Sequence, residues 1–304
     1  MNMIGLFFLI LGSAAVALMG FRAPEIGQAL RLASGRPGSD EDRRRAAHFW
    51  EAAARNAWMI GALGSTLDFT IVLCLSGERG LAEISVGMIR SLVTMLYGLV
   101  LAALCLVPAM KLAEGPGVEV PDAVSGRADK APAGRSRITG YALFVATLVA
   151  TVGLLLAGRK NPGPVPFGTF LLHGPAVLVV IGGAAVLAFF MGRGVGARAW
   201  TLGFAMTGAM ALLTGLIQAL MGFAHKNIAG IASAVGFVIT AIVFALLGLA
   251  VVAAPLEDRE VMAGRRDKAG PISRALWIIF PVLAFIALVL TFIMVVTPMT
   301  KPAG

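Results

Sequence analysis

The chain alternates between long apolar stretches and short polar segments. A helix of about 20 apolar residues crosses the hydrocarbon core of a bilayer, because helical backbone satisfies its own hydrogen-bonding groups there. Eight stretches reach that length: 3–20, 57–76, 87–111, 138–158, 169–191, 199–222, 229–254 and 275–297. The pattern predicts an all-α polytopic membrane protein with eight transmembrane helices.

Four of these stretches repeat one pattern. Residues 58–108 and 200–255 each form a predicted helical hairpin that opens with a tryptophan, Trp58 or Trp200, and closes with a proline followed by charged residues. We therefore predict an internal repeat in which the two hairpins superpose as the same fold.

Composition and charge agree with a membrane protein. Only 13% of the residues are charged, against about 25% in soluble domains. The net charge of +9 could indicate nucleic acid, but the basic residues fall mostly in alternate loops. Cytoplasmic loops carry such an excess of lysine and arginine. The distribution predicts a multi-pass membrane protein with both termini on the outer side, and it excludes nucleic acid as the partner.

The loops divide the chain into four parts. We expect a three-helix membrane unit at 1–112, a flexible cytoplasmic linker rich in Gly, Pro and Ala at 113–137, and a four-helix unit at 138–256. A cytoplasmic loop and an extra C-terminal membrane helix follow at 257–304. Since no basic residue precedes the first apolar stretch, we interpret it as a helix that is not cleaved.

The inner loop at 21–56 contains one predicted helix. Ser39 or Asp40 can cap it, and the acids that follow suit the positive end of a helix. We expect this short helix to lie along the inner face and to lead into the second membrane helix.

Asp68 is the strongest candidate for function, because it is the only acid at the heart of a predicted span. An ionisable group at that depth costs at least about 2.5 kcal/mol, so it usually faces protein or water. Helical spacing places it on one face with Gly61, Gly64, Ser65 and Val72. Two interpretations stay open: a carboxylate that carries protons, or one that joins helices by hydrogen bonds. Its possible partners are Thr66, Thr70, Ser91 and Thr94.

Other chemistry is sparse. The three histidines fall in different loops or at span ends without metal-ligand spacing, and no nucleophile–base arrangement or phosphate-binding loop is present. We therefore predict no enzyme activity, no cofactor and no metal site.

Several motifs carry a resemblance to a known family. The segment LVTMLYGLVLAALCLVPAMKLAE resembles the last membrane helix of the MotA/TolQ/ExbB proton channels through Thr94, Tyr97, Gly98, Pro108 and Leu112. The preceding GALGST is similar to the family's glycine-threonine helix through Gly61, Gly64 and Ser65. Residues 173–194 resemble the second membrane helix of MotA-type stators, and residues 215–218 resemble the continuation of the glycine-threonine helix.

This resemblance implies a tandem of an ExbB/TolQ-like first half and a MotA-like second half. Such proteins are oligomeric membrane subunits that couple ion flow to work through a single-helix partner of the MotB/TolR/ExbD type. Ser65, Thr66, Asp68 and Thr94 would then lie on the ion pathway or at a helix seam. Thr207, Thr214, Gln218 and Thr240 would form a weaker polar face in the second half.

The chain also departs from the family pattern. The resemblance implies a threonine in each pore-facing helix, but Ser65 and Met95 occupy those positions in the first half, and Leu212 and Ala241 occupy them in the second. Two alternatives therefore stay open. One is a non-conducting membrane scaffold that kept the fold, and the other is a secondary transporter built from internal repeats.

Overall fold

A computed structural model describes residues 2–75, 81–113, 134–157, 173–191, 197–225, 227–263 and 271–300. These residues form helices and short turns, and no strand occurs among them. We number the helices α1 to α9: α1 Met3–Gly20, α2 Ala23–Ala33, α3 Asp40–Leu75, α4 Leu81–Ala113, α5 Gly134–Ala157, α6 Gly174–Met191, α7 Ala197–Ala224, α8 Ile228–Met262 and α9 Pro271–Thr300.

Five segments are long and apolar enough to cross a membrane. They are Met3–Gly20, Gly87–Leu112, Arg137–Leu154, Ala199–Ala224 and Gly230–Met262. Two shorter apolar helices, Gly174–Phe190 and Ala275–Thr291, coincide with two more predicted spans. The remaining predicted span lies in α3 and is not among the five. The all-helical class is confirmed, while the count of eight spans stays a prediction.

Two helices contain a π-helical turn. In α6 it covers Leu178–Gly182, and in α8 it covers Gly248–Ala253. Such turns insert an extra residue into an α-helix and are frequent at functional sites. Both lie in the second half of the chain, and the described part of the first half has none.

The segment between the first two spans differs from the expected single short helix. It contains α2, which Glu25 caps by accepting a hydrogen bond from the Arg22 backbone N–H at 2.7 Å. Gly35, with a φ of 86°, ends this helix in a conformation that favours glycine. The capped helix that we expected next begins at Asp40, but it continues without a break into the membrane-length segment as α3.

The long helices pack mainly as antiparallel neighbours. In the first hairpin, Gly98 of α4, ten residues before the proline, packs on Gly61 of α3, three residues after the tryptophan. In the second hairpin, Ala245 of α8, also ten residues before the proline, packs on Gly208 of α7, eight residues after the tryptophan. The two registers differ by five residues, about 7.5 Å along a helix.

Glycine positions explain this difference. The α7 glycines Gly208, Gly215 and Gly222 recur every seventh residue, and each would bring an added Cβ against α8. The two helices therefore pair where small residues admit close approach. This register differs from the one that matching Trp200 and Pro255 to the first hairpin would predict. The predicted superposition of 58–108 on 200–255 is not confirmed.

One apolar core includes residues from both halves of the chain, among them Phe8, Leu63, Phe204, Ile242 and Phe280. Helix α1 packs against α3 and α5, and α3 packs against α8. Most of the expected linker at 113–137 lies outside the described residues, and the domain boundaries stay a prediction.

Candidate functional site

The seam between α3 and α4 gathers the residues that the sequence placed on one face of the second span. Gly61 packs on Gly98, and a Cβ on Gly87 would meet Val72. The Ser65 hydroxyl lies 2.8 Å from the Ser91 hydroxyl. The expected common face is therefore confirmed, and it faces α4.

Asp68 lies at this seam within a triangle of hydrogen bonds. The Thr94 hydroxyl donates to Asp68 Oδ2 at 2.7 Å, and the Asn2 side-chain amide donates to the same oxygen at 2.8 Å. The Asn2 amide also donates to Thr94 Oγ1 at 2.8 Å. The side chains come from α3, α4 and the residue before α1, so the carboxylate joins three segments that are far apart in sequence. Its contact with Thr94 was expected, whereas the contact with Asn2 was not.

The position of Asp68 relative to α1 was not expected. Asn2 immediately precedes α1, and Asp68 lies seven residues before the last residue of α3. The carboxylate is therefore level with the first turn of α1, while its place at the middle of the predicted span 57–76 stays a prediction. A predicted span gives no information about how neighbouring helices are offset along the bundle.

Asn2 was missed as a site residue, although the sequence held one signal. Its Oδ1 accepts a hydrogen bond from the Gly5 backbone N–H at 3.1 Å, which makes it the N-cap of α1. Asparagine directly before an apolar run is a typical N-cap. The second role, donation to Asp68 across 66 positions, has no local signature.

Two glycines provide the space for this triangle. A Cβ added to Gly5 would clash with Thr94 Oγ1 and would lie 2.9 Å from the Asn2 amide nitrogen. A Cβ added to Gly64 would lie 3.0 Å from Thr94 Cγ2 and 3.1 Å from Phe8 Cδ1. The start of α1 can therefore approach Asp68 only because these positions carry no side chain.

The neighbouring hydroxyls do not extend the triangle. Thr66 and Thr70 donate to the carbonyls of Ala62 and Thr66, one turn earlier in their own helix. Ser91 lies within bonding distance of both the hydroxyl and the carbonyl of Ser65, so this pair is satisfied within the seam. The described residues thus contain a closed polar group around Asp68 and no hydrogen-bonded chain across the bundle.

The weaker polar face of the second half does not form. Thr207 is buried and donates to Gly203 and Val180 carbonyls, whereas Thr214 is exposed and donates to a carbonyl of its own helix. Gln218 is also exposed, and Thr240 is buried on α8. Helical spacing does place Thr207, Thr214 and Gln218 on one face of α7. However, α6 covers Thr207 while the other two are exposed, and Thr240 is buried on a different helix, so the four side chains do not form one polar surface.

A second polar cluster lies at the opposite end of the bundle. The Arg55 guanidinium donates to both carboxylate oxygens of Asp258, at 2.7 and 2.8 Å, and its central carbon lies 4.6 Å from the Trp277 ring centroid. Trp277 Nε1 donates to Glu257 at 3.0 Å, and His48 Nε2 lies 3.5 Å from Asp258 Oδ1. Asp258 is fully buried and the Arg55 side chain is 15% exposed, with Glu257 Oε2 also 3.8 Å from Arg55 Nη1.

Four successive residues near the end of α8 each bind a different helix. Glu257 accepts from α9, and Asp258 accepts from α3. Arg259 donates to the Met19 carbonyl of α1, and Glu260 accepts from the Ala197 N–H at the start of α7 at 3.0 Å. We call residues 257–260 the α8 junction. It fixes the Arg55 end of the bundle by joining helices from both halves.

No local pattern in the sequence indicates the α8 junction. These charged residues follow an apolar span, and their sequence predicts a cytoplasmic loop. In the structure α8 continues to Met262, and the side chains of Glu257 and Asp258 are buried. The pairing of Arg55 with Asp258 spans 203 positions, so no local pattern could reveal it.

Neither cluster suits a metal ion. Among the described residues, no group of three or more His, Cys, Asp and Glu side chains could hold one. Protein-family models, curated proteins and solved structures were compared with the chain, and none of them matches.

Proposed function

We propose that the chain is a multi-pass subunit of the bacterial inner membrane that couples ion flow to work, as the resemblance to MotA/TolQ/ExbB channels implies. The observation that carries the proposal is the Asp68 carboxylate at the α3–α4 seam, buried with Thr94 and Asn2 as partners. A carboxylate inside a membrane bundle can take up and release a proton, and such residues commonly mark ion pathways.

The proposal assigns ion handling to the first hairpin. Its seam combines Asp68 with the hydroxyls of Ser65, Ser91 and Thr94. In the second hairpin Gly208 makes the close helix contact that Gly61 makes in the first, so the counterpart of Asp68, seven residues later, is Gly215, which cannot exchange a proton. On this proposal the second half supports the first through the α8 junction, and a single-helix partner or further copies complete the complex.

Proton flux through reconstituted vesicles tests the proposal. Asp68→Asn should abolish flux while assembly persists, because the amide keeps the shape and loses the titratable proton. Glu41→Gln is the control, since Glu41 is exposed and pairs only with Arg45, and it should leave flux unchanged. Undiminished flux in Asp68→Asn would defeat the assignment of Asp68.

A non-conducting scaffold is the second candidate, and a specific observation favours it. The described polar contacts of Asp68 end at Asn2 and Thr94, as expected of a carboxylate that joins helices. In this case Asp68→Asn would be tolerated, whereas Asp68→Leu would destabilise the fold. Absence of flux from the unchanged chain, with a single-helix partner present, would favour the scaffold.

A further inference from the structure

Asn2 covers the Asp68 carboxylate from the side of α1. Its amide nitrogen lies 2.8 Å from Asp68 Oδ2 and 2.8 Å from Thr94 Oγ1, and these two oxygens lie 2.7 Å apart. An asparagine amide carries two N–H donors. The three distances make a nearly equilateral triangle, whereas the two N–H bonds of an amide diverge by about 120°, so one N–H lies between the two oxygens and is shared by them.

We propose that Asn2 is an intramolecular lid on Asp68, with its amide nitrogen in the position that a hydronium or monovalent cation takes when the site is open. This inference rests on the proposed function, because it states how the ion site of that function is closed. Opening would turn the Asn2 amide away and leave the carboxylate and the Thr94 hydroxyl to the ion.

The contacts make Asn2, and not Thr94, the movable member of the triangle. Thr94 lies in the interior of α4, and its hydroxyl is also within 3.2 Å of the Arg90 carbonyl of the preceding turn. Asn2 is half-buried and precedes the first turn of α1. Helix ends open more readily than helix interiors, so the lid can move without disturbing the α3–α4 seam.

The chain provides a matched comparison for the lid. Asn227 caps α8 as Asn2 caps α1, with its Oδ1 accepting from the Gly230 N–H at 3.0 Å. Asn227 is exposed, and within the described part of the chain its side chain bonds to no carboxylate. Asn227→Ser therefore reproduces the change at a helix cap without changing the surroundings of Asp68.

Reaction of Asp68 with a hydrophobic carbodiimide tests the lid directly. The protonated carboxyl group gives its proton to a carbodiimide nitrogen while its oxygen adds to the central carbon, and the O-acylisourea rearranges to a stable N-acylurea that mass spectrometry locates. Asn2→Ser keeps a capping hydroxyl but is too short to reach Asp68, so we expect modification several-fold faster than in the unchanged chain. Gly5→Ala should have the same effect, because its methyl group would displace the start of α1 from Thr94.

Two controls complete the experiment, both measured on the full chain in detergent across a range of pH. Asn227→Ser and Gly153→Ala, whose added methyl would meet nothing within 4 Å, should react at the rate of the unchanged chain. If neither Asn2→Ser nor Gly5→Ala reacts faster at any pH, including the case of no reaction in any variant, the lid is overturned. Faster reaction in a chain without ion flux would keep the lid and reject only the proposed function.

Discussion

Arg55 Nη2 lies 2.7 Å from Oδ1 and 2.8 Å from Oδ2 of Asp258, joining α3 to α8 across 203 positions of the chain. The carboxylate has no exposed surface, and the guanidinium stacks over Trp277. A buried ion pair of this geometry fixes the relative position of the helices that carry it. The two halves of the chain therefore meet at a specific contact and not only through apolar packing.

We predict that Asp258→Asn lowers the free energy of unfolding by about 1.5–3 kcal/mol, because it weakens the charge-assisted hydrogen bonds of Arg55 and leaves that residue with Glu257, at 3.8 Å, as its remaining close acid. Thermal or denaturant unfolding in detergent measures the change. Glu41→Gln, at the exposed pair with Arg45, is the control and should cost no more than about 1 kcal/mol.

The double variant Arg55→Met with Asp258→Leu separates pairing from burial. Apolar replacement of both partners of a buried pair is often neutral or stabilising, so we expect the double variant to be more stable than Asp258→Asn. The stability losses of Arg55→Met alone and of Asp258→Leu alone are measured as well. A loss in the double variant equal to the sum of these two losses would contradict a direct interaction between the two residues.

A second prediction concerns the closest approach of α3 and α4. A Cβ on Gly98 would lie 2.8 Å from Gly61 Cα and 3.0 Å from the Ala57 carbonyl oxygen, and both are backbone atoms that cannot rotate away. Gly98→Ala must therefore separate the helices. We expect a loss of about 1–3 kcal/mol in the free energy of unfolding, as for other overpacked sites.

The control for Gly98→Ala is Gly153→Ala, where the added methyl meets open space. Because alanine is the better helix former by up to about 1 kcal/mol, that variant should be as stable as the unchanged chain or more stable. Equal unfolding midpoints for the two variants would contradict the close contact at Gly98.

Periodicity and residue size were sufficient to predict part of this arrangement. The spacing of Gly61, Ser65 and Asp68 placed them on one helix face, and the structure has that face against α4. These residues lie on one helix and within about three turns, so the regular geometry of the helix determines their relationship.

The relationships that the sequence did not reveal depend on the offset between helices. Asn2 meets Asp68, and Arg55 meets Asp258, because antiparallel helices settle where their glycines allow contact. No local sequence pattern indicates either offset between the helices. The same limit applies to Thr214 and Gln218, which share one face of α7 with Thr207 but are exposed, whereas Thr207 is covered by α6.

The start of α3 provides a prediction about pH. The Ser39 hydroxyl accepts from the Asp42 backbone N–H at 3.2 Å, and Asp42 Oδ2 accepts from the Ser39 backbone N–H at 3.4 Å, so the two residues form a capping box. The Ser39 hydroxyl also donates to Asp42 Oδ2 at 2.7 Å. The hydrogen bond from Ser39 lowers the pKa of Asp42 against the opposing effect of burial. Since the pKa is lower in the folded state, the stabilisation is present above the unfolded-state pKa and is lost as pH falls through the folded-state value.

Ser39→Ala should therefore cost about 1 kcal/mol of stability at neutral pH, as for other N-caps. The difference between this variant and the unchanged chain should shrink as the pH is lowered into the range where Asp42 takes up a proton. Unfolding midpoints measured at a series of pH values test this, with Ser34→Ala, at an exposed serine that bonds only to the preceding turn, as control. A pH-independent difference would show that the hydroxyl cap alone stabilises the helix.

The last prediction is the side of the membrane that Asn2 faces. The sorting of basic residues predicts both termini outside, which places the Arg55 end of the bundle inside and the Asn2–Asp68 contact toward the periplasm. Single cysteines in the segments 113–137 and 159–168, in a chain with Cys74 and Cys105 replaced by alanine, report this directly. A membrane-impermeant thiol reagent added to intact cells should label the second segment, and it should label the first only after the membrane is opened. The reverse pattern would mean that the chain crosses the membrane in the opposite orientation. A lid at Asn2 would then open to the cytoplasm instead of the periplasm.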